Sequence, residues 1–304
     1  MKSSFPTTID SSLIAAFRSC PYKAKLEFFD HWKSRFPSIH LHAGGAFARG
    51  IEVARRSFYE QGKPPDESIA DGCLALAEFY GDFECPPDSG KSLHRMLGAL
   101  EYTLTDAFPL SSDPAQPLTF PGGKRGIEFN FVEPLDFRHP DTGDPLLYCG
   151  RFDQIVEFAH QPFGEDDKTT SQLGASWSRQ WDLRSQFTAY CWGAKRAGIH
   201  LEGFLVRGTS ILKTKYDHAQ AITYRPRWMV DQWYEQLIER DLPAMVQMWE
   251  SGKWSMSLDH ACNEYGGCVF RQVCLSRPED RISWLESGYQ RRKWDPVERT
   301  ETVL

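Results

Sequence analysis

The sequence of 304 residues has no uninterrupted apolar run long enough to cross a membrane. Its opening residues, Met1-Lys2-Ser3-Ser4, do not begin a secretory signal. No internal repeat or low-complexity segment is present, and a content of 41% hydrophobic and 25% charged residues is ordinary for a globular protein. We therefore expect a cytoplasmic protein with no membrane partner.

The chain also lacks an excess of positive charge, since 35 Lys and Arg residues face 41 Asp and Glu residues and the formal net charge is −6. Such a protein has no overall attraction to nucleic acid, so DNA binding would need a local basic surface. Near the N-terminus, Lys23 and Lys25 interleave with Tyr22, Phe28 and Trp32. That mixture suits contact with a DNA backbone, and a solvated helix face is the open alternative.

Apolar periodicity and turn residues predict a mixture of helices and strands. Helices are predicted at Ser11–Ser19, Gly44–Gln61, Asp66–Tyr80, Ser89–Ala107, Trp177–Arg196 and Arg227–Trp249. Strands are predicted at Gly126–Leu135, Gly203–Leu212 and His218–Tyr224, in addition to the pair described next.

Two carboxylates and a lysine are predicted to converge on adjacent strands. An apolar run, Leu146–Phe158, contains Asp153 and ends in a turn, after which a short second segment contains Asp166 and Lys168. If the two segments pair antiparallel, Asp153 lies beside Asp166, and the period of two puts Lys168 on the same face. Such a group suits a divalent cation and an activated water. Glu128 could approach it, but an exposed strand position is favoured for that residue.

Three motifs together resemble the PD-(D/E)XK nuclease superfamily, in particular its RecB-type exonuclease branch. They are G-x-x-D at Gly150–Asp153, D-x-K at Asp166–Lys168 and Q-x-x-x-Y at Gln186–Tyr190. The resemblance implies that Asp153, Asp166 and the main-chain carbonyl of Asp167 bind Mg²⁺ or Mn²⁺. It also implies that Lys168 acts on the attacking water or the developing charge, and that Gln186 and Tyr190 serve the site or DNA.

One element of that branch departs from its pattern. RecB-type nucleases carry G-x-x-x-H, with a histidine metal ligand, whereas here Gly45 leads to Arg49. Glu52, one turn further along the helix, could supply an oxygen ligand instead. The alternative is that Glu52 pairs with Arg49 and Arg56, which lie at i−3 and i+4 from it. Arg49 is also a candidate DNA-binding residue.

The eight cysteines contain one spaced group, Cys262, Cys268 and Cys274, in a C-x5-C-x5-C array, and Cys20 is the candidate fourth ligand. This distribution resembles the iron–sulfur nucleases, which include AddB-type subunits and the CRISPR-adaptation exonucleases, and it implies a [4Fe–4S] cluster. The first gap is three residues longer than usual. Zinc bound by the same thiolates and plain buried cysteines remain the alternatives. The other four cysteines are expected to be buried side chains.

The resemblance implies an α/β fold with a restriction-endonuclease-like αβββαβ core, a helical N-terminal insert at about 44–107 and sheet at about 126–226. We expect one nuclease domain over 1–276, stapled by Cys20 and the segment 262–274, with a peripheral tail at 277–304.

The implied function is a metal-dependent DNA exonuclease in recombination, repair or processing of DNA ends, acting on DNA with a free end or on single strands. Helicase, recombination or phage replication proteins are the implied partners, and phage-encoded proteins are among the similar ones. The alternative is a catalytically impaired nuclease fold that binds DNA or assists assembly. A zinc-stabilised binding module is a third hypothesis.

Overall fold

A computed structural model of the protein describes residues 3–36, 38–263 and 267–297. The chain divides into two compact units. The first comprises Met1–Phe36, Phe131–Gly150 and Trp228–Leu304, and the second comprises Pro37–Asn130 and Arg151–Arg227. No helix in the described ranges combines the length and the hydropathy that a membrane span requires.

Helices and strands alternate irregularly along the chain. The helices are α1 (Ser11–Ser19), α2 (Pro21–Ala24), α3 (Ile39–Tyr59), α4 (Pro65–Tyr80), α5 (Leu93–Tyr102), α6 (Ala175–Arg179), α7 (Ser185–Arg196), α8 (Arg227–Gln236), α9 (Leu242–Ser251), α10 (His260–Asn263), α11 (Arg271–Leu275) and α12 (Arg281–Gly288). π-Helical turns at Lys25–Phe29, Thr103–Ala107 and Leu237–Asp241 extend α2, α5 and α8, and Pro278–Asp280 forms a 3₁₀ turn. The strands are β1 (Thr8–Ile9), β2 (Trp32–Ser34), β3 (Gln116–Pro117), β4 (Asn130–Arg138), β5 (Pro145–Arg151), β6 (Gln154–Phe158), β7 (Gln161–Thr170), β8 (Gly203–Ile211), β9 (Tyr216–Tyr224) and β10 (Tyr289–Arg291).

The second unit contains a five-stranded sheet in the order β3-β6-β7-β8-β9. β6 and β7 pair antiparallel, β7 and β8 pair parallel, and β8 and β9 pair antiparallel. Parallel pairing of consecutive strands needs a crossover, and α6 and α7 provide it between β7 and β8. Every residue of β8 is buried, as expected of a central strand with both faces covered.

Three helices of this unit form its second layer. α3 and α4 approach closely at Gly72, where an added Cβ would lie 2.6 Å from the carbonyl oxygen of Gly50. Their apolar side chains join those of α5 in a buried cluster, which includes Phe47, Ile51, Leu76, Met96, Leu100 and Leu104. Burial of this amphipathic stripe is what stabilises the three helices.

The first unit contains two smaller sheets. One has the order β1-β5-β4, with β1 parallel to β5, and the other pairs β10 antiparallel with β2. A separate core forms around the second sheet from Leu26, Trp32, Phe270, Val273, Leu285 and Tyr289. The segment that was predicted to be a peripheral tail packs into the first unit up to Val297, because Leu285, Tyr289 and Trp294 are buried.

Two predicted elements are interrupted in the structure. The run at Leu146–Phe158 divides into β5 and β6, which belong to different sheets. The predicted helix Trp177–Arg196 divides into α6 and α7, and the Arg225 side chain donates hydrogen bonds to the carbonyl oxygens of Trp181 and Arg184 at this break, at 2.7 and 3.4 Å. The same two carbonyls accept N–H bonds from the residues three positions on, Arg184 and Phe187, so the chain forms tight turns here in place of a continuous α-helix. The chain thus has the mixed α/β architecture that was predicted.

Candidate active site

Asp153 lies in the gap between β5 and β6, one residue before the Gln154–Glu165 pair of the β6–β7 ladder. This register puts Asp153 opposite Asp166, as the antiparallel pairing predicted. The backbone N–H of Asp167 donates a 2.9 Å hydrogen bond to Oδ2 of Asp153. The Asp153 carboxyl is therefore held against β7 by the main chain of the D-x-K segment.

Asp166 and Lys168 share one face of β7, since successive side chains of a strand alternate. Nζ of Lys168 lies 2.5 Å from Oδ2 of Asp166. Burial lowers the pKa of Lys168, but Asp166 and Asp153 outweigh burial and raise that pKa above its ordinary value. The lysine is therefore a charged donor beside the two acids.

Burial disfavours the charged form of both aspartates and raises their pKa values. Burial, and then the charge of Asp166, raises the pKa of Asp153 to about 7. Burial also raises the pKa of Asp166, against the effect of Lys168. Carboxylates that repel each other in a buried place are stabilised by a cation, so the donor set fits a divalent metal. In residues 3–36, 38–263 and 267–297, no three His, Cys, Asp or Glu side chains are already gathered closely enough to hold one ion.

Glu128 is a third acid beside these two and is buried, so the expectation that it is an exposed strand residue is wrong. It lies just before β4 with a positive φ of 51°, and its N–H is bonded to the carbonyl oxygen of Asp153 at 3.0 Å. Its Oε2 lies 2.8 Å from Nε of Arg151. Burial, and then Asp153, raises the pKa of Glu128 to about 8. A strained backbone around a perturbed acid is typical of a functional site.

Glu52 takes the ion-paired arrangement that was one of its two predicted alternatives. Arg49 donates from Nη1 to Oε2 of Glu52 at 2.9 Å, and Arg56 donates from Nε to Oε1 at 3.1 Å. Both carboxylate oxygens are thus bound by guanidinium groups. Glu52 also contributes to the raised pKa of Glu128, which connects α3 electrostatically to the acid group.

The side chain of Asp167 lies on the opposite face of β7 from Asp166. It accepts a 2.6 Å hydrogen bond from Arg55, which also donates to Glu165 at 2.6 Å. Arg207 lies 3.1 Å from Glu165 on the same face, where Asp113 is its second partner. The carboxylate of Asp167 is therefore part of a buried ion-pair network, while its N–H faces Asp153, and the predicted metal ligand of this residue is its main-chain carbonyl.

Gln186 and Tyr190 lie one turn apart on α7, and Nε2 of Gln186 donates to the hydroxyl of Tyr190 at 3.3 Å. The Tyr190 ring packs against Phe152 at a centroid distance of 5.0 Å, and Tyr190 contributes to the raised pKa of Lys168. Both motif residues therefore lie beside the acids. Arg184, at the start of α7, acts on the same site by opposing the rise in the pKa of Asp166.

The four cysteines predicted to act together line one small pocket of the first unit, with Tyr22, Lys23 and Phe270. Burial, and then Cys268, Cys20 and Cys262, raises the pKa of Cys274 to about 11. Thiols that affect one another in this way gain from a metal that stabilises their thiolate forms. The four thiols therefore fit a metal or cluster, whereas Cys149 and Cys191 are simply buried, and Cys73 and Cys85 are half-buried.

The candidate DNA-binding residues are divided between the two units. Lys23 and Lys25 belong to the first unit and Arg49 to the second. Lys25 is paired with Asp30, and Lys23 lines the cysteine pocket.

Comparison of the sequence with protein-family models and with curated proteins gives no match. Among solved structures, the chain is similar to a candidate exonuclease from Eubacterium rectale, with a TM-score of 0.55 and 10% identity, over 98% of this chain and 94% of that one. It also matches SSO0001, with a TM-score of 0.26 and 13% identity, over 64% of this chain and 73% of that one. The first likeness shows that the chain shares the fold of that protein over nearly its whole length, and the second likeness is slight.

Proposed function

We propose that this protein is a metal-dependent DNA exonuclease of the PD-(D/E)XK type, with a restriction-endonuclease-like αβββαβ core and a RecB-like site. The observation that carries the proposal is the group formed by Asp153, Asp166 and Lys168, in which a half-buried acid, a buried acid and a charged lysine meet beside the Q-x-x-x-Y residues. An ion pair of purely structural value would not need a second acid whose charge opposes ionisation of the first.

Asp153, Asp166 and the main-chain carbonyl of Asp167 would hold one or two Mg²⁺ or Mn²⁺ ions, and Glu128 is a further oxygen donor. The ions would supply a nucleophilic hydroxide and neutralise charge on the phosphate. Lys168 orients the attacking water and donates hydrogen bonds to the charge that develops on the phosphate oxygens. Tyr190, which accepts a hydrogen bond from Gln186, would support the charged form of the lysine from the side of α7.

DNA with a free end is the proposed substrate, and processing of DNA ends in repair or recombination is the proposed role. The candidate exonuclease from Eubacterium rectale, which shares the fold, supports the exonuclease activity alone. A helicase, recombination or phage replication protein is the proposed partner class.

We further propose that Cys20, Cys262, Cys268 and Cys274 hold a [4Fe–4S] cluster, with zinc as the alternative metal. The support is their convergence on one pocket of the first unit. A single tetrahedral zinc, with Zn–S bonds of about 2.3 Å, would need the four sulfurs much closer together than a cluster does, because each cysteine of a cluster binds a different iron.

The proposal is tested by incubating the purified protein with end-labelled single- and double-stranded DNA, with Mg²⁺, Mn²⁺ or EDTA. Metal-dependent release of label is expected, and its loss in Asp166→Ala and Lys168→Ala. Asp217→Ala and Lys124→Ala, at exposed positions of the same unit, are the matched controls and should retain activity.

Two results would contradict the proposal. Cleavage that survives Asp166→Ala and Lys168→Ala would show that the site lies elsewhere or that a contaminant is responsible. Metal-independent DNA binding with no cleavage under any metal would favour the catalytically impaired, DNA-binding alternative.

A further inference from the structure

Glu52 and Arg49, on the polar face of α3, form an ion pair whose two members differ in exposure. The Glu52 side chain is 7% exposed, while its partner Arg49 is 45% exposed. An ordinary surface pair at this spacing has both groups in water and holds neither in place. Here the acid is buried, and it anchors a guanidinium that faces solvent.

Arg49 retains most of its hydrogen-bonding capacity. In the described ranges it donates one hydrogen bond, from Nη1 to Glu52. A guanidinium has five N–H donors in a rigid fork. Arg56 differs, because it donates both to Glu52 and to Glu60. Arg49 is thus a fixed cation with donors to spare, which is the chemistry that binds a phosphate.

Arg49 lies on the helix that packs on the motif strand. α3 contacts the face of β7 opposite Asp166 and Lys168, since an added Cβ on Gly44 would lie 3.9 Å from Oγ1 of Thr169 and Arg55 binds Asp167. Arg49 and Glu52 lie on α3 between these two contacts. Glu52 and Arg56 both act on the pKa of Glu128, whose N–H is bonded to the carbonyl of Asp153.

We infer that Arg49, oriented by the buried carboxylate of Glu52, binds a backbone phosphate of the substrate strand. The inference rests on the proposed function and gives it a specific phosphate-binding residue. It also assigns a positioning role to Glu52 in place of a metal ligand. A guanidinium cannot ligate a metal, so Arg49 holds the substrate directly at the place where the resembled branch has a histidine.

The test measures DNA binding in EDTA, where no cleavage occurs, by fluorescence anisotropy of a labelled single-stranded oligonucleotide over a series of salt concentrations. Each phosphate contact contributes about 0.7 to the slope of log K against log salt for a single strand. Arg49→Gln should reduce that slope by about 0.7 and weaken binding roughly five- to tenfold.

Two further variants separate charge from geometry. Arg49→Lys should keep the slope while losing part of the affinity, because a lysine keeps the charge without the fork. Glu52→Gln should keep the slope and weaken binding, because the guanidinium is no longer held. Thermal unfolding of each variant checks the fold, and if Arg49→Gln does not fold, the other two carry the test. Arg240→Gln, at an exposed position of the first unit, is the matched control and should bind as the wild type does.

The inference is wrong if Arg49→Gln keeps the slope and affinity of the wild type while the wild type binds and cleaves DNA. That result leaves the proposed nuclease in place. A wild-type protein that neither binds nor cleaves DNA overturns both.

Discussion

Asp153 shows at the scale of one residue how a candidate site can oppose stability. Its carboxyl is half-buried, is opposed by the charge of Asp166, and has a pKa raised to about 7. An acid whose pKa is higher in the folded than in the unfolded protein stabilises the fold when protonated. That stability is fully present below pH 4 and is lost as the pH rises through 7.

Asp153→Asn should therefore stabilise the metal-free protein at high pH. The amide is uncharged, so at pH 8 the variant should gain about 1–2 kcal/mol in free energy of unfolding, less than the full pKa shift would give because the carboxyl is partly solvated. At pH 4 the two proteins should unfold alike. Urea unfolding in EDTA at both pH values measures this. An equal loss of stability at both would mean that the hydrogen bond from Asp167 outweighs the charge.

The same pKa predicts how metal binding depends on pH. A metal ligand must be deprotonated, so at pH 6 most Asp153 carboxyls would have to release a proton when the ion binds. The Mg²⁺ concentration for half-maximal cleavage should then be about tenfold higher at pH 6 than at pH 8. Titration of initial rates with Mg²⁺ at both values tests this, and equal midpoints would exclude Asp153 as a titrating ligand.

At the scale of the element, β7 carries different chemistry on its two faces. Asp166 and Lys168 face the candidate site, whereas Glu165 and Asp167 pair with Arg55 on the other face. Because Asp167 also donates its N–H to Asp153, the network behind the strand fixes the group in front of it. The ion pairs of Arg55 thus attach α3 to β7, the strand that carries the D-x-K motif.

Arg55→Met should be strongly destabilising. The Arg55 side chain is 5% exposed, and its removal leaves Glu165 and Asp167 buried without one of their cations. Breaking a buried ion pair in this manner costs about 3–5 kcal/mol. Urea unfolding should measure this loss, with Lys63→Met as the control, since Lys63 forms a more exposed pair with Asp71 and should change stability little. A loss no larger than that of the control would mean that water replaces the guanidinium.

Local sequence patterns predicted the structural features that depend on residues close together in the chain. α4 and the alternation of Asp166 and Lys168 follow from periodicity alone. The burial of Glu128 could not be predicted, because it depends on the bond from its N–H to the carbonyl of Asp153. The carbonyls at the break between α6 and α7 are likewise bound by Arg225, which lies beyond the next two strands. Contacts between distant segments leave no periodic signal.

At the scale of the whole molecule, a net charge of −6 coexists with basic side chains concentrated around the acids of the second unit. Arg49, Arg56, Arg151 and Lys168 all contact acidic residues there. Each of these cations is paired with an acid, so the region has no excess of positive charge of its own. In the proposed nuclease, attraction of DNA to this region would therefore require bound divalent cations and would weaken as salt increases.

The four candidate ligand cysteines are far apart in the sequence. Most of the chain lies between Cys20 and the group of Cys262, Cys268 and Cys274. Thiolates that share a metal or cluster would close that long loop. Closing a loop of more than 100 residues with a covalent bond is worth about 4–5 kcal/mol of unfolded-state entropy. Loss of one ligand should therefore affect stability as well as colour.

Cys20→Ser should lose both the absorption of an iron–sulfur cluster and about 3–5 kcal/mol of stability, because an incomplete ligand set no longer joins the two ends of the first unit. Anaerobic purification, a visible spectrum, and iron and zinc analysis measure the first effect, and urea unfolding measures the second. Cys85→Ser, outside the cysteine pocket, is the control and should match the wild type in both. A colourless wild-type protein with one zinc would overturn the cluster while keeping the loop closure. A Cys20→Ser protein that keeps its metal and stability would exclude Cys20 as a ligand, so that the cysteines at 262–274 would bind without joining the N-terminal segment.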